Sequence, residues 1–275
     1  DEVQDLTDDV IDAVFRRAPR VIVAGDPEQS IYTGRVKAGD LKRLLREAHK
    51  HTLKHIERLP LLIFQLATAI LPEAKIVSGA NVRQRGSKGK IIKASDQSKE
   101  FEGVYAEALR VTQPEQPSAI LHPSHDSIKK FAQEISKKRG WGVPPEFVDE
   151  GRKGKDYDAF NSFFEKHGSP LRFLGSDNGS LPESDEKKII YLMTYHSAKG
   201  LDFNNVFLPN LSAKKRLIGI GSRQAERRLF FVAITRAKEN VYFSYNGEPH
   251  PFIDELPEVC LEDFVPPRSI FRRKS

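Results

Sequence analysis

The sequence predicts an α/β protein built on an open, mostly parallel β-sheet. Three observations favour this class: short apolar runs recur along the chain, polar or Gly-rich breaks follow them, and segments with helical spacing of apolar residues lie between them. Strands that alternate with helices are typical of parallel sheets, because each crossover between parallel strands is usually helical. With 275 residues, 39% of them hydrophobic, the chain can bury a sizeable core.

The first part of the chain combines an acidic start with helical segments. The acidic cluster DEVQD leads into a predicted helix, for which Thr7 is a candidate N-cap. The run VIVAGD, residues 21–26, is apolar up to its last residue and predicts a buried parallel strand. Two more helices are predicted over residues 39–50 and 60–71, followed by a linker or surface loop over residues 72–90.

From residue 90 the alternation of strands and helices is regular. The predicted strands are KIIKA (90–94), SAIL (118–121), EFV (146–148), LRFL (171–174), 188–194, 205–209 and VYFSY (241–245). The helices predicted around them cover residues 98–111, 125–138, 157–167 and 223–237. This order indicates one continuous sheet with helical crossovers.

Composition and charge narrow the cellular setting. The net charge of +6 fits an anionic partner, although many soluble enzymes carry a similar excess. A single cysteine, Cys260, cannot form an internal disulfide and suggests a reducing, cytoplasmic compartment. No apolar run approaches the roughly 18 residues of a membrane helix, and the acidic N-terminus does not resemble a signal peptide. The chain starts without Met inside a motif-like cluster, so we expect a fragment of a longer protein.

Four polar clusters lie where strands are predicted to end, and ligands of open parallel sheets bind beyond the carboxyl ends of strands. The clusters are DEVQD, AGDPEQSIY (24–32), MTYHSAKGLDF (193–203) and AERRLFFVAITRA (225–237). Adjacent carboxylates can bind Mg²⁺ and orient an attacking water, and a helix-end arginine can reach a γ-phosphate. Each cluster alone also has an ordinary structural explanation, as a solvated turn, a strand cap or a surface charge.

Taken together and in this order, the clusters resemble known motifs. DExQD, GDPxQSIY, MTxHxAKGLxF and ERRLxxVAxTRA resemble motifs II, III, V and VI of the UvrD/Rep-type superfamily 1 DNA helicases. The resemblance implies a RecA-like second motor domain with flanking helices, preceded by a remnant of the first motor domain. It covers the C-terminal portion of such a helicase.

The resemblance assigns catalytic roles residue by residue. Asp1 is the implied Mg²⁺ ligand, and Glu2 the base that orients the hydrolytic water. Gln29 is the implied γ-phosphate sensor, and Arg236 the arginine finger. No Gly-Lys-Ser/Thr phosphate loop occurs in the sequence, so ATP and Mg²⁺ are expected as cofactors of the parent protein and not as ligands of this fragment.

The same resemblance implies the binding residues. Aligning LKHIERLPLLIFQLATAIL on the motif IV helix places Arg58 at the phosphate-binding arginine. The residues implied to bind nucleotide are Arg58, Gly200, Asp202 and Arg236. Those implied to contact single-stranded DNA are Tyr32, Thr194 and His196. Asp202 stands where Glu is commoner, and Thr33-Gly34 stand where a base-stacking aromatic should follow Tyr32.

Domain boundaries follow from the motif positions. Residues 1–53 are the expected remnant of the first RecA-like domain, and residues 54–275 the second. Residues 149–188 replace or reduce the accessory insertion that usually precedes motif V.

Two functions remain open from the sequence. The first is an ATP-dependent helicase of the repair or replication type, moving 3′ to 5′ along single-stranded DNA and inactive as this fragment. Its expected partners are single-stranded DNA and the first motor domain, without a membrane and with no oligomeric state defined. The alternative is a non-catalytic nucleic-acid-binding or protein-docking module derived from a helicase half. The parent motor could also be fused to a nuclease or another domain.

Overall fold

A computed structural model describes residues 2–26, 58–74, 85–146, 157–175, 183–213, 215–217 and 222–267, with residues 49, 51, 56 and 181. Seven strands of this part of the chain form one sheet in the order β3-β4-β2-β5-β6-β1-β7. They are β1 (Gly89–Ala94), β2 (Ser118–His122), β3 (Leu171–Phe173), β4 (Ile190–Thr194), β5 (Phe203–Leu208), β6 (Ala237–Asn246) and β7 (Leu261–Asp263). All the pairings between these strands are parallel, so the predicted α/β fold class is confirmed.

Helices cover both faces of the sheet. The helices of the described residues are α1 (Asp8–Arg17), which packs against Val3, Leu6 and Val23, and α2 (Leu61–Ile70), α3 (Gln97–Val111), α4 (His125–Arg139), α5 (Asp158–Lys166), α6 (Glu183–Glu186), α7 (Arg223–Ile234) and α8 (Pro251–Asp254). Side chains at three N-caps accept a hydrogen bond from the backbone N–H three residues later, which fixes where α3, α4 and α7 begin. These N-caps are Asp96, Ser124 and Ser222.

The core consists of two apolar layers, one on each face of the sheet. On β5, Val206 and Leu208 pack on the face covered by α2 and α7, whereas Phe207 packs on the face covered by α3, α4 and α5. Successive side chains of a strand point to opposite faces, so strands buried on both faces need continuous apolar runs. This is why the strands were recognisable in the sequence. The Phe207 ring stacks on Tyr242 of β6 with centroids 4.2 Å apart.

The predicted strand over residues 21–26 is wrong. These residues are irregular, and the side chain of Ile22 is 97% exposed. The segment bonds instead to a 3₁₀ turn, Val3–Asp5, through a hydrogen bond from the Val3 N–H to the Ala24 carbonyl (3.0 Å). An apolar run becomes a strand only where a neighbouring strand can satisfy its backbone.

Several other predictions have mixed outcomes. The helix at 60–71 is confirmed as α2, whereas the helix at 39–50 lies almost wholly outside the described residues. Of the strand at 146–148 only residue 146 is described, and it is irregular. The short elements α6, α8 and β7 were not predicted, because three or four residues carry no clear periodicity. No helix in the described ranges is both long and apolar enough to span a bilayer.

Candidate functional site

The predicted site residues lie at both edges of the sheet. Thr194 ends β4 and lies at the carboxyl edge, as expected. Asp202 and Arg236 immediately precede β5 and β6, so they lie at the amino edge. The expectation that all four clusters lie beyond carboxyl ends is therefore wrong. The reason is that residues 195–202 return from the end of β4 to the start of β5 without a helix.

Three charged residues meet at the amino edge, and we call them the amino-edge cluster: Arg58, Asp202 and Arg236. The paired starts of β5 and β6 bring Asp202 and Arg236 side by side. Arg58 Nη1 lies 2.5 Å from Asp202 Oδ2, and Arg236 Nη1 lies 3.9 Å from Asp202 Oδ1. The Arg58 side chain is 46% exposed and that of Arg236 only 2%. The carboxylate of Asp202 thus lies between a half-exposed arginine, Arg58, and a buried one, Arg236.

Arg236 is fixed by the end of α7. Its guanidinium donates to the Val232 carbonyl (3.0 Å), to the Leu201 carbonyl (3.3 Å) and to Thr235 Oγ1 (3.1 Å). Burial lowers the pKa of Arg236 to about 10, with the charge of Arg58 acting in the same direction and Asp202 opposing it. The side chain therefore stays charged at neutral pH. A buried, pre-oriented cation of this kind stabilises negative charge more than a solvated one.

The two N-terminal motif segments are joined to each other. The Asp26 N–H donates to Gln4 Oε1 (3.1 Å), and Gln4 Nε2 donates to Glu2 Oε2. Gly25 makes this close approach possible, because a Cβ there would lie 2.2 Å from Gln4 Oε1 and 2.9 Å from Val3 Cγ1. The DEVQD cluster and the start of AGDPEQSIY are consequently one structural unit.

Lys199 connects that unit to the second half of the chain. Its Nζ lies 2.6 Å from both carboxylate oxygens of Asp5 and 3.5 Å from Glu2 Oε2, and its side chain is 6% exposed. The pair of Lys199 with Asp5 was not predicted from the sequence. Opposite charges at two motif positions allow such a pair but do not identify the partners. Gly200 follows at φ +79° with open space around a Cβ, so backbone conformation favours Gly there.

At the carboxyl edge, Thr194 and Ser197 hold the turn after β4. Thr194 Oγ1 accepts from the Ser197 N–H (3.1 Å) and lies 2.8 Å from Ser197 Oγ, and Thr194 is 7% exposed. Thr194 therefore shapes the turn that presents His196. Burial lowers the pKa of the half-buried His196, so its imidazole is neutral at pH 7.

His122 lies beside Thr194 in register on β2 and is fully buried. Its Nδ1 lies 3.0 Å from Ser127 Oγ. Burial lowers the pKa of His122 to about 3. The imidazole is therefore neutral in the folded protein down to acid pH.

This burial predicts an acid sensitivity. Below pH 6.5 the unfolded chain binds a proton at His122 that the folded protein does not, so stability falls by up to about 1.4 kcal/mol per pH unit. We expect a loss of roughly 2 kcal/mol on going from pH 7 to pH 5. Urea unfolding of the wild type and of His122→Asn at both pH values measures it. An equal pH dependence in the variant would assign the loss to other groups.

Asp1, Gln29 and Tyr32 lie outside the described residues. In the part of the chain that is described, no three His, Cys, Asp or Glu side chains form a group that could hold a metal ion. The carboxylates of Glu2 and Asp26 are oxygen donors of the type that Mg²⁺ prefers, and both are close enough to Arg236 to raise its pKa. Arginine pairs such as Arg58 and Arg236 suit phosphate oxygens. The donor types present thus fit Mg²⁺ and a nucleotide phosphate.

Comparisons with known proteins define the class. Residues 169–248 match the UvrD-like helicase C-terminal domain family. The ATP-dependent DNA helicase PcrA of Staphylococcus aureus (strain MRSA252) is 36% identical over 130 residues, which are 40% of this chain and 17% of that protein. DNA helicase II of Escherichia coli (strain K12) is 36% identical over 90 residues, 27% of this chain and 12% of that protein.

A solved C-terminal domain of a possible DNA helicase from Lactobacillus plantarum WCFS1 aligns with a TM-score of 0.48 at 14% identity, over 75% of this chain and 98% of that chain. The chain matches less than a fifth of the length of PcrA and of DNA helicase II. Residues 169–248, which carry motifs V and VI, are thus similar to the UvrD-like helicase C-terminal domain. This match and the relatives PcrA and DNA helicase II support the resemblance to the C-terminal portion of a UvrD/Rep-type helicase that the order of the motifs predicted.

Proposed function

We propose that this chain is the C-terminal part of an ATP-dependent DNA helicase that moves 3′ to 5′ along single-stranded DNA in repair or replication. Residues 1–53 belong to the first motor domain in this proposal, and residues 54–275 form the second. The observation that carries the proposal is the amino-edge cluster, in which Asp202 holds Arg58 and Arg236 beside the acidic N-terminal unit. PcrA, a relative at 36% identity, is named an ATP-dependent DNA helicase.

In the proposed motor, Arg236 stabilises the charge that develops on the γ-phosphate. Two hydrogen bonds to the end of α7 and one to the Leu201 carbonyl keep it in place, so little reorganisation accompanies the reaction. Arg58 is more exposed, and it exchanges its contact with Asp202 for a phosphate oxygen when nucleotide enters. Until then, the carboxylate of Asp202 offsets the repulsion between the two guanidiniums. Bound Mg²⁺ would supply further neutralisation of phosphate charge, with Asp1 and Glu2 on its side of the site.

Lys199 couples the proposed nucleotide site to the turn that we propose contacts DNA. Its pair with Asp5 ties the unit that carries Glu2 to the turn that presents His196. A change at the nucleotide that moves the N-terminal unit therefore moves the turn after β4. In this proposal, Thr194 shapes that turn and His196 contacts the DNA backbone as a neutral donor.

The first test uses the chain by itself. We expect it to bind a fluorescent single-stranded oligonucleotide at low salt without hydrolysing ATP. His196→Ala should weaken binding about 2- to 10-fold, which corresponds to one hydrogen bond. Fluorescence anisotropy measures the affinity. The control is His167→Ala, an imidazole at the end of α5 that bonds to the Phe163 carbonyl and lies toward the amino edge.

Each outcome bears on a separate part of the proposal. Absence of DNA binding by the chain would oppose the helicase assignment. Rapid ATP hydrolysis by the chain alone would overturn the division of the catalytic site between two motor domains. DNA binding without any DNA-stimulated hydrolysis in the parent protein would favour the non-catalytic module.

A further inference from the structure

A buried carboxylate organises the carboxyl ends of β5 and β6. Glu100, in the first turn of α3, has no exposed surface. It accepts hydrogen bonds from the Asn210 N–H (2.6 Å), from Ser244 Oγ (2.8 Å) and from Asn246 Nδ2 (2.5 Å). A buried carboxylate is tolerated only where such donors replace water. All three donors are neutral, so none of these hydrogen bonds is an ion pair.

Glu100 fixes a residue in an unusual conformation. Asn210 has φ +72°, a left-handed conformation that residues other than Gly seldom adopt, and the bond from its N–H to Glu100 holds it there. The Asn210 side chain accepts from Gln97 Nε2 (2.8 Å) and from Lys215 Nζ. Its Nδ2 donates to Ser127 Oγ (3.3 Å). Asn210 therefore sets the position of the Lys215 ammonium.

Lys215 lies where two open grooves approach each other. One groove, of about 270 Å³, is lined by Lys215, Arg216 and Arg223 together with Glu226 and His250. The other, of about 480 Å³, lies between α3 and α4 and is lined by Gln97, Lys130, Lys137 and Glu134. The hydrogen bonds from Gln97 and Lys215 to Asn210 connect the two grooves. We call this surface the Lys215 face.

The Lys215 face has an excess of positive charge. Its two carboxylates already accept hydrogen bonds within the protein, Glu226 from the Leu217 N–H (2.5 Å) and Glu134 from Ser98 Oγ (2.5 Å). Its five cations come from α4, α7 and the segment after β5, and of these Arg223 lies 3.5 Å from the carboxylate of Glu255. Burial lowers the pKa of Lys215; the charge of Glu100 raises it, and the smaller effect of the Lys130 charge lowers it, so Lys130 is near enough to repel the Lys215 ammonium. A polyanion would relieve that repulsion.

The same face adjoins the proposed DNA-contacting turn. Thr194 at the end of β4 pairs with His122 at the end of β2, and His122 connects through Ser127 to Asn210. Neighbouring strands lie about 4.8 Å apart, so the end of β5 is only about 10 Å from the end of β4. One extended backbone can therefore pass over both places.

We propose that the Lys215 face binds the phosphate backbone of the DNA on which the motor acts, as a contact separate from His196, and that Glu100 is the positioning residue that holds Asn210 and Lys215 for it. The inference rests on the proposed function, because it takes single-stranded DNA as the ligand. It adds a second contact region and a residue, Glu100, that acts on DNA only through Asn210.

The test is the salt dependence of binding of a fluorescent single-stranded oligonucleotide to the full chain. Each lost phosphate contact lowers the slope of log affinity against log salt by about 0.7. We expect this decrease for Lys215→Ala, and wild-type slope for Lys215→Arg. Asn210→Gly keeps the left-handed turn accessible but releases the Lys215 ammonium, so it should lower the slope as Lys215→Ala does. Glu100→Gln should do the same.

Controls separate positioning from folding. Lys166→Ala removes an exposed cation at the end of α5, close to the other end of the sheet, and should leave the slope unchanged. If Glu100→Gln fails to fold, Asn210→Gly alone decides the role of the Asn210–Lys215 contact. Lower affinity with an unchanged slope in Lys215→Ala would overturn the inference, because a merely structural defect removes no phosphate contact.

The inference and the proposed function can fail separately. If His196→Ala weakens binding while Lys215→Ala and Asn210→Gly match the wild type, the Lys215 face is not a DNA contact and the proposed function stands. If the wild-type chain binds no oligonucleotide, both are wrong.

Discussion

Replacing Arg236 with Ala is expected to slow ATP hydrolysis by the parent motor about 10³- to 10⁵-fold, the usual contribution of an arginine finger. Arg236 is the buried member of the amino-edge cluster, and its hydrogen bonds to Val232, Thr235 and Leu201 hold its guanidinium in place. Alanine removes the charge, and Arg58 is too exposed to replace a pre-oriented cation. The loss should therefore fall on kcat.

Affinity for single-stranded DNA should change little in Arg236→Ala, because Arg236 lies at the amino edge and His196 at the opposite edge. Steady-state hydrolysis with saturating DNA measures kcat, and fluorescence anisotropy measures DNA binding. Arg236→Lys tests geometry, since it keeps the charge without the planar fork of donors. Arg16→Ala, an exposed arginine in the last turn of α1, is the control. Unchanged turnover in Arg236→Ala would refute the assignment of this residue.

Much of the fold was predictable because the sheet is buried on both faces. Continuous apolar runs such as residues 190–193 and 206–208 pack against the helices on both faces of the sheet at once, and few other structures require them. The same reasoning failed for residues 21–26. Residues 21–24 are also a continuous apolar run, but no strand of the sheet pairs with them.

The site was only partly predictable from the sequence. The order of the motifs identifies candidate site residues, but it does not show which of their side chains contact each other. Asp202 and Arg236 were named from the sequence, whereas the position of Asp202 at the amino edge depends on the short return from β4 to β5, and that of Arg236 on its place between α7 and β6. Glu100 gave no signal, since a glutamate in the first turn of an amphipathic helix is usually a solvated dipole partner. Lys199 and Asp5 are 194 residues apart, so only the folded chain identifies them as a pair.

Asp202→Ala is expected to lower the free energy of unfolding by about 3 kcal/mol, the lower end of the range for leaving a buried charge without its partner. The substitution leaves the guanidiniums of Arg58 and Arg236 facing each other. Arg236 is only 2% exposed, so water cannot screen that repulsion well. The effect stays at the lower end because Glu2 and Asp26 remain near enough to act on Arg236.

Urea unfolding followed by circular dichroism at pH 7 measures this loss. Asp202→Glu restores the carboxylate with one more methylene, and it should stay within about 1 kcal/mol of the wild type. Asp263→Ala is the matched control: its carboxylate lies 2.8 Å from Lys93 Nζ but is 70% exposed, so its removal should cost at most about 1 kcal/mol. Equal losses in Asp202→Ala and Asp263→Ala would mean that Asp202 forms only a surface ion pair. A much larger loss at Asp202 would mean that the amino-edge cluster holds Arg236 in place through charge, which is the condition for its proposed action on a phosphate.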